Sequence, residues 1–269
     1  MVRVGVLGAG GRMGRQVCRA VSDDSELELV AAVDPALAGI DLRQVTGSDG
    51  AGIQVAGDVS DLERAGAEVA VDFTVADVAA ENMRWCAANG VHCVVGTTGI
   101  SDVDVGEIEA LFASSSANCV LAANFAIGAV LMMRFAELAA PFMDGVEIVE
   151  LHHDGKLDAP SGTALKTAQR IDEARRAAGR PPYPADRTAS AVVPGARGGD
   201  GPGGIRIHSV RLPGLVAHQE IIFGAPGQSL TLRQDSYDRS SYMPGVLLAV
   251  KSVADRPGLT VGLDSLLSF

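Results

Sequence analysis

The densest group of chemistry-bearing residues is the run Glu150-Leu151-His152-His153-Asp154-Gly155-Lys156-Leu157-Asp158-Ala159-Pro160-Ser161-Gly162-Thr163-Ala164. Two of the five histidines fall within it, with one of the three lysines, the others being Lys166 and Lys251. The paired histidines, His152 and His153, are candidates for catalysis, because a histidine titrating near neutrality can donate a proton as hydride arrives at an acceptor. Lys156, one loop-width away, can neutralise a carboxylate or share the proton-donor role. Ser161 is placed to cap a helix whose first amides, those of Gly162 and Thr163, form an anion site. Together these residues suit the reduction of a carboxylated, protonatable acceptor such as an imine. Paired histidines also suggest metal, but no third ligand stands at a suitable spacing, so none is expected. His92, His208 and His218 fall on predicted strands and read as structural.

A second group opens the chain. Gly8-Ala9-Gly10-Gly11-Arg12-Met13-Gly14 follows an apolar run; Met13 breaks a strict GxGxxG, but glycines at Gly8, Gly11 and Gly14 serve the same physics. They permit a tight turn and let backbone approach a pyrophosphate resting on the next helix. Asp34, at the end of the second apolar run, is placed to accept hydrogen bonds from an adenine-ribose diol. A carboxylate there repels a 2′-phosphate and Pro35 offers no compensating cation. NADH is therefore the expected cofactor, with NADPH tolerated if Arg12 or another arginine reaches the phosphate. Gly96-Thr97-Thr98-Gly99 and Ala122-Ala123-Asn124-Phe125 follow two further predicted strands, where ligands of open α/β sheets bind. Their small residues would let a nicotinamide ring lie close to the backbone, although ordinary loop chemistry explains them equally well.

The elements that must position these groups follow from periodicity. Val2–Leu7, Leu27–Asp34, Val69–Phe73, Val91–Val95 and Cys119–Ala122 are continuous apolar runs, as in parallel strands covered on both faces. Helices are predicted over Arg12–Val21, Asp77–Asn89 and Asp102–Ser114 between them, which is the doubly wound rhythm. Beyond about residue 126 the pattern changes. A helix over Ile127–Leu138, a strand over Val146–His152 and a helix from Ser161 to a stop at Gly179 come first. A Pro-, Gly- and Arg-rich stretch, Arg180–Gly204, reads as a mobile excursion. Strands over Ile205–Leu212, Leu215–Phe223 and Ser229–Gln234, a helix over Pro244–Ala254 and an apolar tail, Leu259–Phe269, complete the chain. The expected architecture is α/β: a Rossmann-type doubly wound parallel sheet plus a smaller α+β domain with an open mixed sheet. The divisions fall at 1–126 for dinucleotide binding, 127–234 for substrate binding and oligomerisation, and 235–269 for a return to the first domain. An exposed sheet edge in the second domain needs cover, which oligomerisation can supply.

Composition sets the outer bounds. The chain has 269 residues, 47% of them hydrophobic, enough for a substantial core. A formal net charge of −11 disfavours nucleic acid and anionic membranes as partners. The uncharged run from Ala110 to Met133 is long enough to span a bilayer, yet Ser114, Ser115, Ser116, Asn118 and Asn124 interrupt it; a buried strand between two helices accounts for it. Cys18, Cys86, Cys93 and Cys119 form no CxxC pair and read as buried free thiols in a reducing cytosol, so a cytoplasmic protein is expected. The first eight residues read as a strand and not as a signal peptide.

The segments Gly8–Arg15, Gly96–Gly99, Ala122–Phe125 and Glu150–Ala164 resemble, in the same order, the motifs of the dihydrodipicolinate reductase family. The stretch from Ile205 to Pro244 is similar as well. The resemblance implies reduction of the cyclic product of aspartate semialdehyde and pyruvate to tetrahydrodipicolinate, in the diaminopimelate route of lysine biosynthesis. It also implies His152 and Lys156 as the proton-donor pair, and a cyclic dicarboxylate held by His153, Lys156, Gly162 and Thr163. A homotetramer assembled through second-domain strands is implied too, with residues 235–269 rejoining the first domain. Two rival readings remain at this point. One is an aspartate semialdehyde dehydrogenase-like enzyme with Cys119 as nucleophile; the other is a non-catalytic NAD(H)-binding redox sensor.

Overall fold

A computed structural model describes residues 1–47 and 52–267, in two compact units: residues 1–127 with 242–269, and residues 128–241. Within the first unit the chain runs β1 (Val2–Leu7), α1 (Arg12–Asp23), β2 (Leu27–Val33), α2 (Leu42–Thr46), α3 (Asp61–Arg64), β3 (Val69–Asp72), α4 (Ala76–Asn89), β4 (His92–Val95), α5 (Asp102–Ser114) and β5 (Cys119–Leu121). The six strands lie in the order β11-β5-β4-β3-β1-β2, every described pair parallel. Here β11 (Leu259–Val261) comes from the C-terminal return. Short valine- and alanine-rich strands suit this position: all four residues of β3 are buried, as a strand covered on both faces requires. The direction of winding reverses between β1 and β3, which opens a crevice at their C-terminal ends.

The second unit holds α6 (Ile127–Ala139), β6 (Gly145–His152), α7 (Gly162–Ala177), β7 (Gly199–Asp200), β8 (Arg206–Arg211), β9 (Ala217–Ala225) and β10 (Gln228–Ser236). Its mixed sheet has the order β10-β9-β6-β8-β7, with β6 and β8 parallel and the other pairs antiparallel. Along β6 every second residue is buried: Val146, Ile148 and Glu150. Ile148 sits level with Ile207 and Ile221 and packs with Ala164, Ala168 and Ile171 of α7. Burial of each such isoleucine side chain contributes about 1.5–3 kcal/mol, which fixes α7 over this face.

Several expectations change. The apolar tail is not a tail, for Leu259–Val261 pairs with Cys119–Leu121 as an edge strand; its last two residues, Ser268 and Phe269, lie outside the described residues. Three residues are too few for a periodicity to show. Helices α2 and α3, five and four residues long, passed unpredicted for the same reason. The Arg180–Gly204 stretch is tied down: Arg197 reaches Glu147 and Asp186, Arg206 meets Asp186 at 3.2 Å, and Tyr183 donates to the Ala140 carbonyl at 3.2 Å. It also contains β7. The expected division after residue 234 falls inside β10. α8 (Met243–Ser252) packs beside α1 of the first unit.

Candidate active site

The glycine turn joins β1 to α1. Gly8 has φ +75°, and a Cβ on Gly14 would stand 2.0 Å from the Gly8 carbonyl oxygen, so neither position admits a side chain. Gly11 is the N-cap of α1 and supplies no side-chain cap, leaving the first helical amides available to an anion. Ala9 is buried beneath the turn, Met13 is half-buried, and Arg12 is exposed at the first helical position. Asp34 accepts from the Gly10 amide at 2.9 Å and from Ala36 at 3.1 Å, which couples the end of β2 to the turn.

A cavity of about 690 Å³ opens beside this turn, lined among others by Gly8, Gly11, Asp34, Asp58, Glu81 and Trp85. Its lining contains three carboxylates and neither lysine nor arginine. Asp72 closes the adjoining strand end. It is 1% exposed and accepts from the Thr74 amide and hydroxyl, the Asn82 amide and the Thr97 hydroxyl, at 2.7–3.1 Å. One carboxylate thereby ties the loops after β3 and β4 together. Thr97 is buried while Thr98 is exposed and Gly96 half-buried. In the next loop Ala122 is buried and Ala123 exposed, Asn124 accepts from the Ala126 amide at 2.8 Å, and Phe125 packs on Phe73 at 5.9 Å between ring centroids. The turn, the uncapped helix and the cavity fit a dinucleotide.

In the second unit β6 ends at His152, and α7 starts at Gly162 after a loop closed by Ser161. The Ser161 hydroxyl accepts from the Ala164 amide at 3.2 Å, the N-cap the sequence predicts. Glu150 lies beneath the loop at 0% exposure. Its carboxylate accepts both arms of Arg211, at 2.8 and 2.9 Å, the Ser161 amide at 3.2 Å and a 2.5 Å contact from His152 Nδ1. Arg211 also donates to the Asp158 carbonyl at 2.7 Å. Burial pushes the Glu150 carboxyl pKa up, but the bonds from Arg211, Ser209 and His152 outweigh it and hold it below the usual carboxylate range. Burial also lowers His152; Glu150 opposes this, while Lys156 and Arg211 add to it, and the net direction is down.

Lys156 is held by Asp158 through both carboxylate oxygens, at 2.7 and 2.8 Å, and is near enough to His152 for their charges to interact. His153 is exposed on the loop, and Gly162 and Thr163 occupy the first two positions of α7. Beside Glu150 in register stands Gln219, 4% exposed, which donates to Thr167 at 2.8 Å. The arrangement therefore has an apolar layer, then a buried polar layer, then the loop with His152 and Lys156. It can hold an anion at the helix start and a proton beside it.

Glu150, Arg211, Asp72, and Asp58 and Glu81 of the cavity lining were missed as functional residues. A signal for Glu150 existed: period two along Val146, Ile148 and Glu150 puts an ionisable group on the core face. None existed for Arg211, which stands 61 residues from Glu150. His92 and His218 hold local structure, accepting the Asn118 amide at 2.9 Å and pairing with Asp235 at 2.7 Å. His208 pairs with Glu147 at 2.8 Å. Cys119 is fully buried, aligned with Cys93 across β4 and β5, which removes the nucleophile that an aldehyde dehydrogenase would need. Among the described residues no cluster of three or more His, Cys, Asp or Glu could hold a metal, and no helix is long and apolar enough to cross a membrane.

Comparison with known proteins accords with both halves of this geometry. Residues 2–125 match the family profile described as dihydrodipicolinate reductase, N-terminus, and residues 128–267 match that described as dihydrodipicolinate reductase, C-terminus. The 4-hydroxy-tetrahydrodipicolinate reductase of Corynebacterium diphtheriae is 49% identical over 98% of this chain and 97% of its own. That of Nocardia farcinica is 50% identical over 99% and 98%. Among solved structures, a dipicolinate-bound dihydrodipicolinate reductase from Paenisporosarcina sp. TG-14 superposes with a TM-score of 0.86 at 41% identity, covering 99% of this chain and all of that one. An amine dehydrogenase from Mycobacterium smegmatis, at 19% identity and a TM-score of 0.65, shares the fold alone. By the match of both profiles and by identity along its whole length, the chain belongs to the dihydrodipicolinate reductase family.

Proposed function

We propose that this protein reduces 4-hydroxy-tetrahydrodipicolinate to tetrahydrodipicolinate with a reduced nicotinamide, in the diaminopimelate route to lysine. The observation that carries this is identity near one half, over nearly the full chain, to relatives that bear that activity in their names. Substrate, NAD(P)H and one proton give tetrahydrodipicolinate, NAD(P)+ and water. The nicotinamide, when bound, supplies the hydride; this chain binds the anion, orients it and provides the proton.

His152 and Lys156 serve as the proton donors, and His153, Lys156 and the amides of Gly162 and Thr163 hold the carboxylates. Those two amides have no acceptor among the described residues, since Ser161 takes the Ala164 amide. The first unit holds the dinucleotide through Gly8–Met13, Asp34, Gly96–Thr98 and Ala122–Phe125. NADH is the favoured cofactor, because a 2′-phosphate at Asp34 would meet a cavity lined by carboxylates. A homotetramer built through the open second sheet suits the exposed Ile222 and Leu230 on its strands. Four buried free cysteines agree with a cytoplasmic setting.

The test is a coupled assay with dihydrodipicolinate synthase, pyruvate and aspartate semialdehyde, following nicotinamide absorbance with NADH and with NADPH. Oxidation that requires the synthase supports the reading. Its absence with both cofactors, from folded protein that binds NADH, would sink it. Pyridine-2,6-dicarboxylate is expected to inhibit competitively against the cyclic substrate.

A further inference from the structure

An unpaired carboxylate on the buried face of a sheet is costly, and Glu150, at 0% exposure, escapes that cost through donors on both of its oxygens. Oε1 accepts from Arg211 Nη2 and the Ser161 amide, while Oε2 accepts from Arg211 Nη1 and faces His152 Nδ1. A guanidinium bound through both arms keeps the carboxyl group ionised. An ionised carboxylate only accepts, so His152 Nδ1 must carry the hydrogen of that contact. In the neutral imidazole Nε2 is then bare, and any added proton resides there.

We propose that Glu150 is the positioning residue of His152, fixing the Nδ1–H tautomer and stabilising the imidazolium that gives up its Nε2 proton. This rests on the reduction proposed above. As hydride adds to the substrate, the Nε2–H bond breaks, its proton passes to the substrate and its pair stays on nitrogen; neutral His152 remains bonded through Nδ1 to Glu150 and regains a proton from solvent. Arg211 prevents Glu150 from taking the proton itself. The same carboxylate fastens the loop at both ends, through His152 and the Ser161 amide, and Arg211 holds its middle at Asp158. The charged groups facing His152 are thus Glu150 on β6, Arg211 on β8, and Lys156 with its partner Asp158 on the loop.

The experiment has two arms. In the wild-type protein, nitrogen-15 spectra of labelled histidine read the tautomer directly, the His152 signals being identified by their loss in His152→Gln. The expected result is a protonated Nδ1 and a bare Nε2; a protonated Nε2 in neutral His152 overturns the proposal. In Glu150→Gln, kcat is expected to fall on the order of 100-fold, with KM for the dicarboxylate changing far less. The decline of activity with rising pH should begin at lower pH, because the anion that favours protonated His152 is gone. A loss confined to KM, with kcat and pH profile as in wild type, would assign Glu150 to loop structure alone and overturn the proposal. Should Glu150→Gln not fold, the wild-type tautomer still decides. Failure of wild type to reduce the substrate would instead defeat the functional reading and leave the tautomer result standing.

Discussion

His152 and Lys156 sit four positions apart in a fifteen-residue run, yet their surroundings differ. His152 is half-buried against Glu150, whereas Lys156 is held by an exposed aspartate. Removing each should therefore have a different signature. His152→Ala is expected to lower kcat by about 100-fold or more with a smaller effect on KM, as loss of a positioned acid does. Lys156→Ala should lower kcat and raise KM together, and full activity in steady-state kinetics would remove it from the site. Asp34→Ala should erode the preference for NADH, read as the ratio of kcat/KM for the two cofactors; an unchanged ratio would place selectivity elsewhere. Glu150 also gives a pH dependence of stability. Its folded pKa is depressed, so the native state binds fewer protons than the unfolded chain near the ordinary glutamate value of 4.5. Its contribution is present above that value and drains as pH falls through the folded pKa, and Glu150→Gln should flatten the acid limb of denaturation.

At the scale of elements, the start of α7 is where structure and chemistry share atoms. Ser161 caps the helix, leaves two amides free for an anion, and gives its own amide to Glu150. Ser161→Ala should cost about 1 kcal/mol as a lost N-cap, measured as a lower denaturation midpoint at unchanged slope. That helix was legible from Ser161 to Gly179 because its cap, its period and its stop all point the same way. The site run was legible because reactive residue types crowd a strand-to-helix junction. Arg211 was not, because a cross-strand partner is chosen by register, and register is set by the whole sheet.

At the scale of the molecule, the first unit is finished by the end of the chain. Asn118 donates to the carbonyls of Val253 and Ala254 and accepts from the Gly258 amide, and β11 then adds to the sheet beside β5. Deleting residues 256–269 should expose the β5 edge and lower the thermal midpoint of unfolding, with aggregation read by light scattering. A chain that unfolded at the same temperature without them would show the return to be dispensable.

The sequence by itself determined the parallel sheet, the glycine turn, Asp34 and the run from Glu150 to Ala164. Each of these is a local pattern: continuous apolar runs of strand length alternating with helical stretches, or residue types at fixed short spacing. Only the tertiary structure decided which distant groups meet them. It brought Arg211 to Glu150, Thr97 and Asn82 to Asp72, and Asp58 and Glu81 to the cavity beside Asp34. These are pairings across strands and loops, whose energy depends on burial and register, and neither quantity is carried by neighbours along the chain.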